Sequence, residues 1–133
     1  MRISKKCEYA CLALIELSRH YDDSLVQIAD IAERNDIPKK FLEQILILLK
    51  NAGYIRSYRG ARGGYKLSKP PAQITLAEIM RLIDGALAPV DSASVYFYES
   101  TPSEQNQALL GIFKDIRNYA AARLEETTFD KLT

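Results

Sequence analysis

Between Ser4 and Arg19 apolar residues, among them Ala10, Leu14, Ile15 and Leu17, recur on a broad face, which is the spacing of a mostly buried helix. A shorter run from about Val26 to Arg34 sets Ile28, Ile31 and Ala32 at helical intervals, and the polar pair Asn35 and Asp36 breaks it. Pro38 suits the first position of a third helix, where its missing N–H leaves no intrahelical bond unmade. That helix buries Leu42, Ile45, Leu46 and Leu49 and ends at Ala52 and Gly53, with Gly53 as its cap. Two short helices joined by a tight turn form a helix-turn-helix pattern, in which the second helix faces outward.

After Gly53 the period shortens from helical to alternating. Tyr54 to Tyr58 and Tyr65 to Leu67 read as strands around the turn Gly60, Ala61, Arg62, Gly63, Gly64, so a two-stranded wing follows the third helix. Thr75 and Glu78 then form a capping box for a helix that runs to about Asp84 and closes at Gly85. Residues 86–100 lack a helical period and are expected to form a loop, with a short extended piece at Val95 to Tyr98 whose aromatic residues pack against something. A second capping box, Thr101 with Glu104 and Pro102 between them, is expected to open a long helix from about Ser103 to Leu124. Leu109, Ile112, Phe113, Ile116, Tyr119, Ala120 and Leu124 form one stripe on it. So small a C-terminal part cannot bury that stripe alone, which predicts the same helix of a second copy as its cover.

The expected fold is mainly α: a winged helix-turn-helix over residues 1–69, then a linker helix, loop and dimerisation helix over 70–133, in one folding unit. A length of 133 residues fits one core, and 47% apolar with 26% charged residues excludes a disordered or fibrous chain. No apolar run is long enough to cross a bilayer, and the N-terminus lacks a signal-peptide core, so a cytoplasmic protein without membrane association is expected.

Charge changes the picture more. The net +1 conceals +5 over residues 1–69 and −4 over 70–133. Such asymmetry points to a polyanion-binding N-terminal part. The stretch from Tyr54 to Lys69 carries Arg56, Arg59, Arg62, Lys66 and Lys69 with no acid. In the wing, Gly63, Gly64 and Tyr65 follow the arginines, and glycines there would let backbone approach a phosphate or a minor groove. At the start of the third helix Lys39, Lys40, Phe41, Glu43 and Gln44 complete the candidate DNA-binding set. The lysines suit phosphates, Gln44 can pair bidentately with adenine, and Glu43 can accept from cytosine.

The ordered set Leu42-Glu43-Gln44, Arg59-Gly60, Gly63-Gly64-Tyr65 and Ile74-Thr75, together with the opening Met1 to Ser4 and Tyr9-Ala10, resembles the Rrf2 family of bacterial transcription regulators. The resemblance runs from Met1 to the segment Thr127 to Leu132. It implies a dimer whose third helix, with Lys39, Lys40, Glu43 and Gln44, enters the major groove of a pseudo-palindromic double-stranded DNA. It also implies that Arg59 of the wing enters the minor groove and that the long C-terminal helix makes the homodimer. Family members that bind iron-sulfur clusters carry three cysteines in the loop after Gly85, whereas residues 86–133 here contain no Cys and no His. The resemblance therefore leans to cluster-free members such as repressors of cysteine metabolism, with no cofactor and no metal, and with an effector protein or small molecule as a further partner.

Cys7 and Cys11 lie four apart and so face one side of the first helix. They read first as small core residues, second as redox-sensing thiols, and third as ligands shared across a dimer. His20 near the end of the first helix suits the helix dipole. With no nucleophile-base pair, phosphate loop or metal constellation, an enzyme is not expected. The alternative function is a protein-interaction module whose Val95 to Tyr98 loop binds a partner enzyme.

Overall fold

The structure, a computed structural model, describes residues 1–133. In chain order it comprises α1 (Lys5–Arg19), α2 (Ile28–Asn35), α3 (Lys39–Asn51), β1 (Ile55–Tyr58), β2 (Gly64–Leu67), α4 (Leu76–Asp84) and α5 (Gln107–Glu125). Short 3-10 turns stand at Pro71–Gln73, Asp91–Ala93, Pro102–Gln105 and Phe129–Leu132. This is the expected mainly α winged helix-turn-helix. No helix is long and apolar enough to cross a membrane.

The principal core joins the buried faces of α1, α2 and α3 to the wing. Leu14, Leu17, Ile31, Leu42, Ile45, Leu46, Leu49, Ile55 and Leu67 are all essentially inaccessible to solvent. Ser4 caps α1 by accepting the Cys7 N–H at 3.0 Å, while its own hydroxyl and backbone N–H donate to the two carboxylate oxygens of Asp84 at 2.5 and 2.8 Å. The start of α1 is thereby tied to the end of α4.

The helix-turn-helix corner is made without glycine. Asp36 takes the left-handed conformation (φ 52°), which an aspartate tolerates better than most side chains, and the Ile37 N–H returns to the Ala32 carbonyl at 2.9 Å. Pro38 caps α3 rather than occupying its first helical position: its ψ of 125° is not helical, yet its carbonyl already accepts the Leu42 N–H. At the other end, Gly53 follows the C-cap Ala52 with φ 87°, as a terminating glycine should.

Three further boundaries differ from the sequence reading. Val26 is not the start of α2. It forms an antiparallel bridge to Tyr65, each N–H donating to the other's carbonyl at 2.8–2.9 Å, so this β-branched residue adds a one-residue third strand to the wing. Val95 to Tyr98 form no extended piece. The Phe97 N–H donates to Ser94 Oγ at 3.0 Å, and the segment bends without a partner strand. The second capping box exists, but it closes only the 3-10 turn Pro102–Gln105. α5 begins after it, because Asn106 leaves helical geometry and its side chain accepts the Leu109 N–H at 3.0 Å.

The chain end returns to the first core, a feature the hydrophobic pattern did not disclose. Thr128 bridges to Thr75, the Leu76 N–H donates to Thr127, the Phe129 N–H donates to Ile74, and the Phe129 ring is completely buried in the principal core. The single stripe expected on α5 is also divided. Leu110 is buried and Phe113 packs beside it over Ala88 and Ala93, and Leu124 meets the cluster of Cys7, Ala77, Met80 and Leu87. Leu109, Ile112, Ile116 and Tyr119 stay exposed, from 45 to 74%.

Candidate nucleic-acid interface

The outer surface of α3 follows from its inner one. With Leu42, Ile45, Leu46 and Leu49 directed to the core, Lys39, Lys40, Glu43 and Gln44 are left exposed on the first two turns. The first turn of α3 contains no acid and two lysines. Cations at a helix N-terminus face the positive end of the macrodipole, a position where anions are stabilised instead. Within one chain this arrangement is electrostatically unfavourable, and a phosphate beside it would relieve it.

Phe41 follows the two lysines in the chain but turns inward. Its half-buried ring stands edge-on to Tyr9 of α1, centroids 5.6 Å apart and planes at 79°. It orients α3 against α1 and offers little of itself to a groove.

In the wing, β1 and β2 pair antiparallel with Ile55 opposite Leu67 and Tyr58 opposite Gly64. Ile55 and Leu67 anchor the strands in the core, which leaves Arg59 and Arg62 exposed in the turn. The glycines here serve the hairpin itself. A Cβ on Gly63 would stand 2.1 Å from the Tyr58 carbonyl oxygen, and one on Gly64 would stand 2.8 Å from the Val26 carbonyl oxygen. Gly60 (φ 98°) has open space about it. Tyr65 is half-buried against the core, so the wing's aromatic residue supports the hairpin.

Arg59 shares a groove with Gln27, Ile28, Ser57 and Tyr58. Gln27, which the sequence offered no reason to single out, tethers the wing to the start of α2: its amide lies 3.5 Å from the carbonyls of both Ala61 and Gly63. Arg56 does not join Arg59. It lines separate grooves, one with Lys50 and Gly53 and another with Asp22 and Asp23. Lys39, Lys40, Arg56, Arg59 and Arg62 make no ion pair within the chain, whereas Arg34, Lys69, Arg81 and Arg123 each do.

Behind the wing stands a polar junction. The Tyr54 hydroxyl donates to Glu78 Oε1 at 2.7 Å, and Lys69 Nζ lies 3.8 Å from the same oxygen and 5.0 Å from the Tyr54 ring centroid. Burial pushes the Glu78 carboxyl up, but the Thr75 backbone N–H, the Tyr54 and Thr75 hydroxyls and Lys69 together hold it below the usual carboxylate range. Burial first, then the Glu78 carboxylate, pushes the Tyr54 phenol upward.

Cys7 and Cys11 lie at the contact of α1 with α4, Cys7 fully buried and Cys11 half-buried. Interaction between the two neighbouring thiols lowers Cys11, and the same interaction together with burial raises Cys7. No group of three or more His, Cys, Asp or Glu side chains with metal-binding geometry occurs.

Comparison with known proteins extends these observations. The Rrf2 family profile, described as an iron-dependent transcriptional regulator, matches residues 3–133. A Mycobacterium tuberculosis protein whose name places it among HTH-type transcriptional regulators is 36% identical over 128 residues, spanning 96% of this chain and 78% of that one. The oxidized form of CymR from Staphylococcus aureus superposes with a TM-score of 0.81 at 33% identity, covering 99% of this chain and 95% of the other. CymR of Bacillus subtilis, the global cysteine regulator of that organism, gives 0.79 at 30% identity over the same shares.

Proposed function

The chain belongs to the Rrf2 family of transcriptional regulators, which are not enzymes, and from that premise we propose that it is a homodimeric, sequence-specific DNA-binding repressor. The two α3 helices occupy successive major grooves about 34 Å apart on a pseudo-palindrome, with the wings in the flanking minor grooves. The observation that carries this reading is the pair Lys39 and Lys40 in an acid-free first turn of α3, exposed and unpaired where the helix dipole itself favours a phosphate. Gln44 and Glu43, one turn further on, read base edges, and Arg59 adds positive charge at the minor groove.

Leu109, Ile112, Ile116 and Tyr119 lie on one face of α5 and are uncovered in the single chain. They supply the self-complementary face of a two-fold dimer. The net −4 of residues 70–133 keeps acidic surface in the dimerisation part, away from the basic N-terminal part that meets DNA.

The family description names iron, and the donors of this chain do not fit it. A cluster takes thiolate or imidazole ligands in number. Residues 86–133 contain neither Cys nor His, and of the two thiols on α1, Cys7 is enclosed by Ala77, Met80 and Leu87. In this reading the regulator works without a cluster.

Anisotropy titration of the purified protein on duplex DNA, at a series of salt concentrations, tests the reading. Wild-type affinity should fall steeply with salt, and Arg59→Ala should lower the slope by about one. Salt-insensitive or absent DNA binding would contradict it.

A further inference from the structure

The side of α5 opposite its exposed stripe closes a cavity of about 290 Å3 against α4 and the bend at residues 94–97. Two guanidiniums line it, and their situations differ. Arg81 is matched: its Nη2 lies 2.7 Å from Glu125 Oε1, and its central carbon sits 4.8 Å from the Tyr96 ring centroid. Arg117 is not matched. Its Nε is buried and has no hydrogen-bond acceptor.

A buried donor of a permanent cation left without an acceptor is unfavourable, and a ligand that brings an acceptor to it relieves that cost. The remaining walls indicate its chemistry. Leu87, Val95 and Phe97 supply apolar surface, and Asn118 supplies an amide. One unmatched cation beside apolar surface, in a cleft that is half open to solvent, suits one negative charge on an apolar body. The planar fork of a guanidinium favours a carboxylate.

We propose that this cavity binds a small organic monoanion, a carboxylate with an apolar body, whose carboxylate meets Arg117 and whose body packs beside Tyr96 and Phe97. The site joins two elements with different tasks. α4 is fastened at its start to the wing through Tyr54 and Glu78, and α5 carries the exposed stripe. A ligand between them fixes the angle of α5 to the winged part and so acts as an effector. The effector role rests on the DNA-binding reading, whereas binding itself does not.

Calorimetric titration of the full chain, without DNA, with benzoate, phenylacetate and 3-methylbutanoate tests the site, with benzyl alcohol as the neutral control and sulfate as the inorganic one. At least one carboxylate should bind saturably at one site per chain, and the alcohol should bind at least about tenfold more weakly. Arg117→Met should abolish binding. Tyr96→Ala, at a residue 70% exposed and outside the core, should weaken it several-fold and serves where Arg117→Met fails to fold. No binding by any of the three carboxylates, equal binding of the alcohol, sulfate binding as well as they do, or undiminished affinity in Tyr96→Ala would overturn the assignment. Absent carboxylate binding with DNA binding intact removes only this site, whereas the reverse pattern removes the DNA-binding reading and leaves the site.

Discussion

The Tyr54 hydroxyl and the Glu78 carboxylate meet at 2.7 Å, joining the residue that precedes β1 to the capping box of α4. One carboxylate thus serves two structures. Glu78 Oε2 accepts from the Thr75 backbone N–H at 2.8 Å while Oε1 holds Tyr54 and lies near Lys69. Wing and linker helix are consequently coupled through a single side chain.

Removing the phenol as Tyr54→Phe should cost about 1 kcal/mol in urea denaturation, the ordinary worth of such a hydrogen bond. Because the folded state holds the Glu78 carboxyl below its usual value, its contribution is complete above the unfolded carboxylate pKa, about 4.3. It is lost as pH falls through the depressed folded value. Glu78→Gln should therefore be less stable than wild type near neutrality and lose less stability on acidification. Parallel acid profiles of the two proteins would deny Glu78 this role.

Gly63 should tolerate no side chain. With a Cβ 2.1 Å from the Tyr58 carbonyl oxygen, Gly63→Ala must open the wing turn, whereas Gly60→Ala meets only a backbone penalty of about 1 kcal/mol from its positive φ. DNA affinity should fall much further in Gly63→Ala than in Gly60→Ala, with helical circular dichroism retained in both. Equal losses would mean that the turn acts through flexibility and not through this contact.

The exposed stripe of α5 predicts the assembly state. Ile116→Glu replaces a residue 46% exposed in the single chain, so the protomer should fold unchanged. Sedimentation equilibrium should show it monomeric and wild type dimeric, with DNA affinity reduced in step. A variant that remains dimeric would place the interface elsewhere.

Much of the fold was legible because its signals are local. Thr75 and Glu78 announced α4, Gly53 the end of α3, and the change from helical to alternating period announced the wing. What escaped depends on contacts distant in sequence. Val26 looks helical until Tyr65 is brought beside it, and Phe129 is an isolated aromatic until Ile74 receives its N–H. The sequence pattern starts the long helix too early because two capping sequences, Thr101 to Glu104 and Asn106, follow each other closely, and the chain breaks helical geometry at Asn106, between the first of them and α5. In the candidate interface, Lys39, Lys40, Glu43, Gln44, Arg59 and Arg62 are exposed as expected. Phe41 and Tyr65 pack inward, Gly63 and Gly64 serve the hairpin, and Arg56 lies in other grooves, because charge and spacing do not reveal which side of an element the core occupies.

Selection of bound sequences from a random duplex library, with wild-type protein and with Gln44→Ala, tests whether α3 reads base sequence. Wild type should enrich a pseudo-palindrome with half-sites about one helical turn, 10 to 10.5 base pairs, apart or a multiple of it. Gln44→Ala should enrich the same spacing with preference relaxed at one symmetric pair of positions. Enrichment of no symmetric sequence by wild type, or an identical motif from both proteins, would contradict the placement of α3 in the major groove as a sequence-reading element.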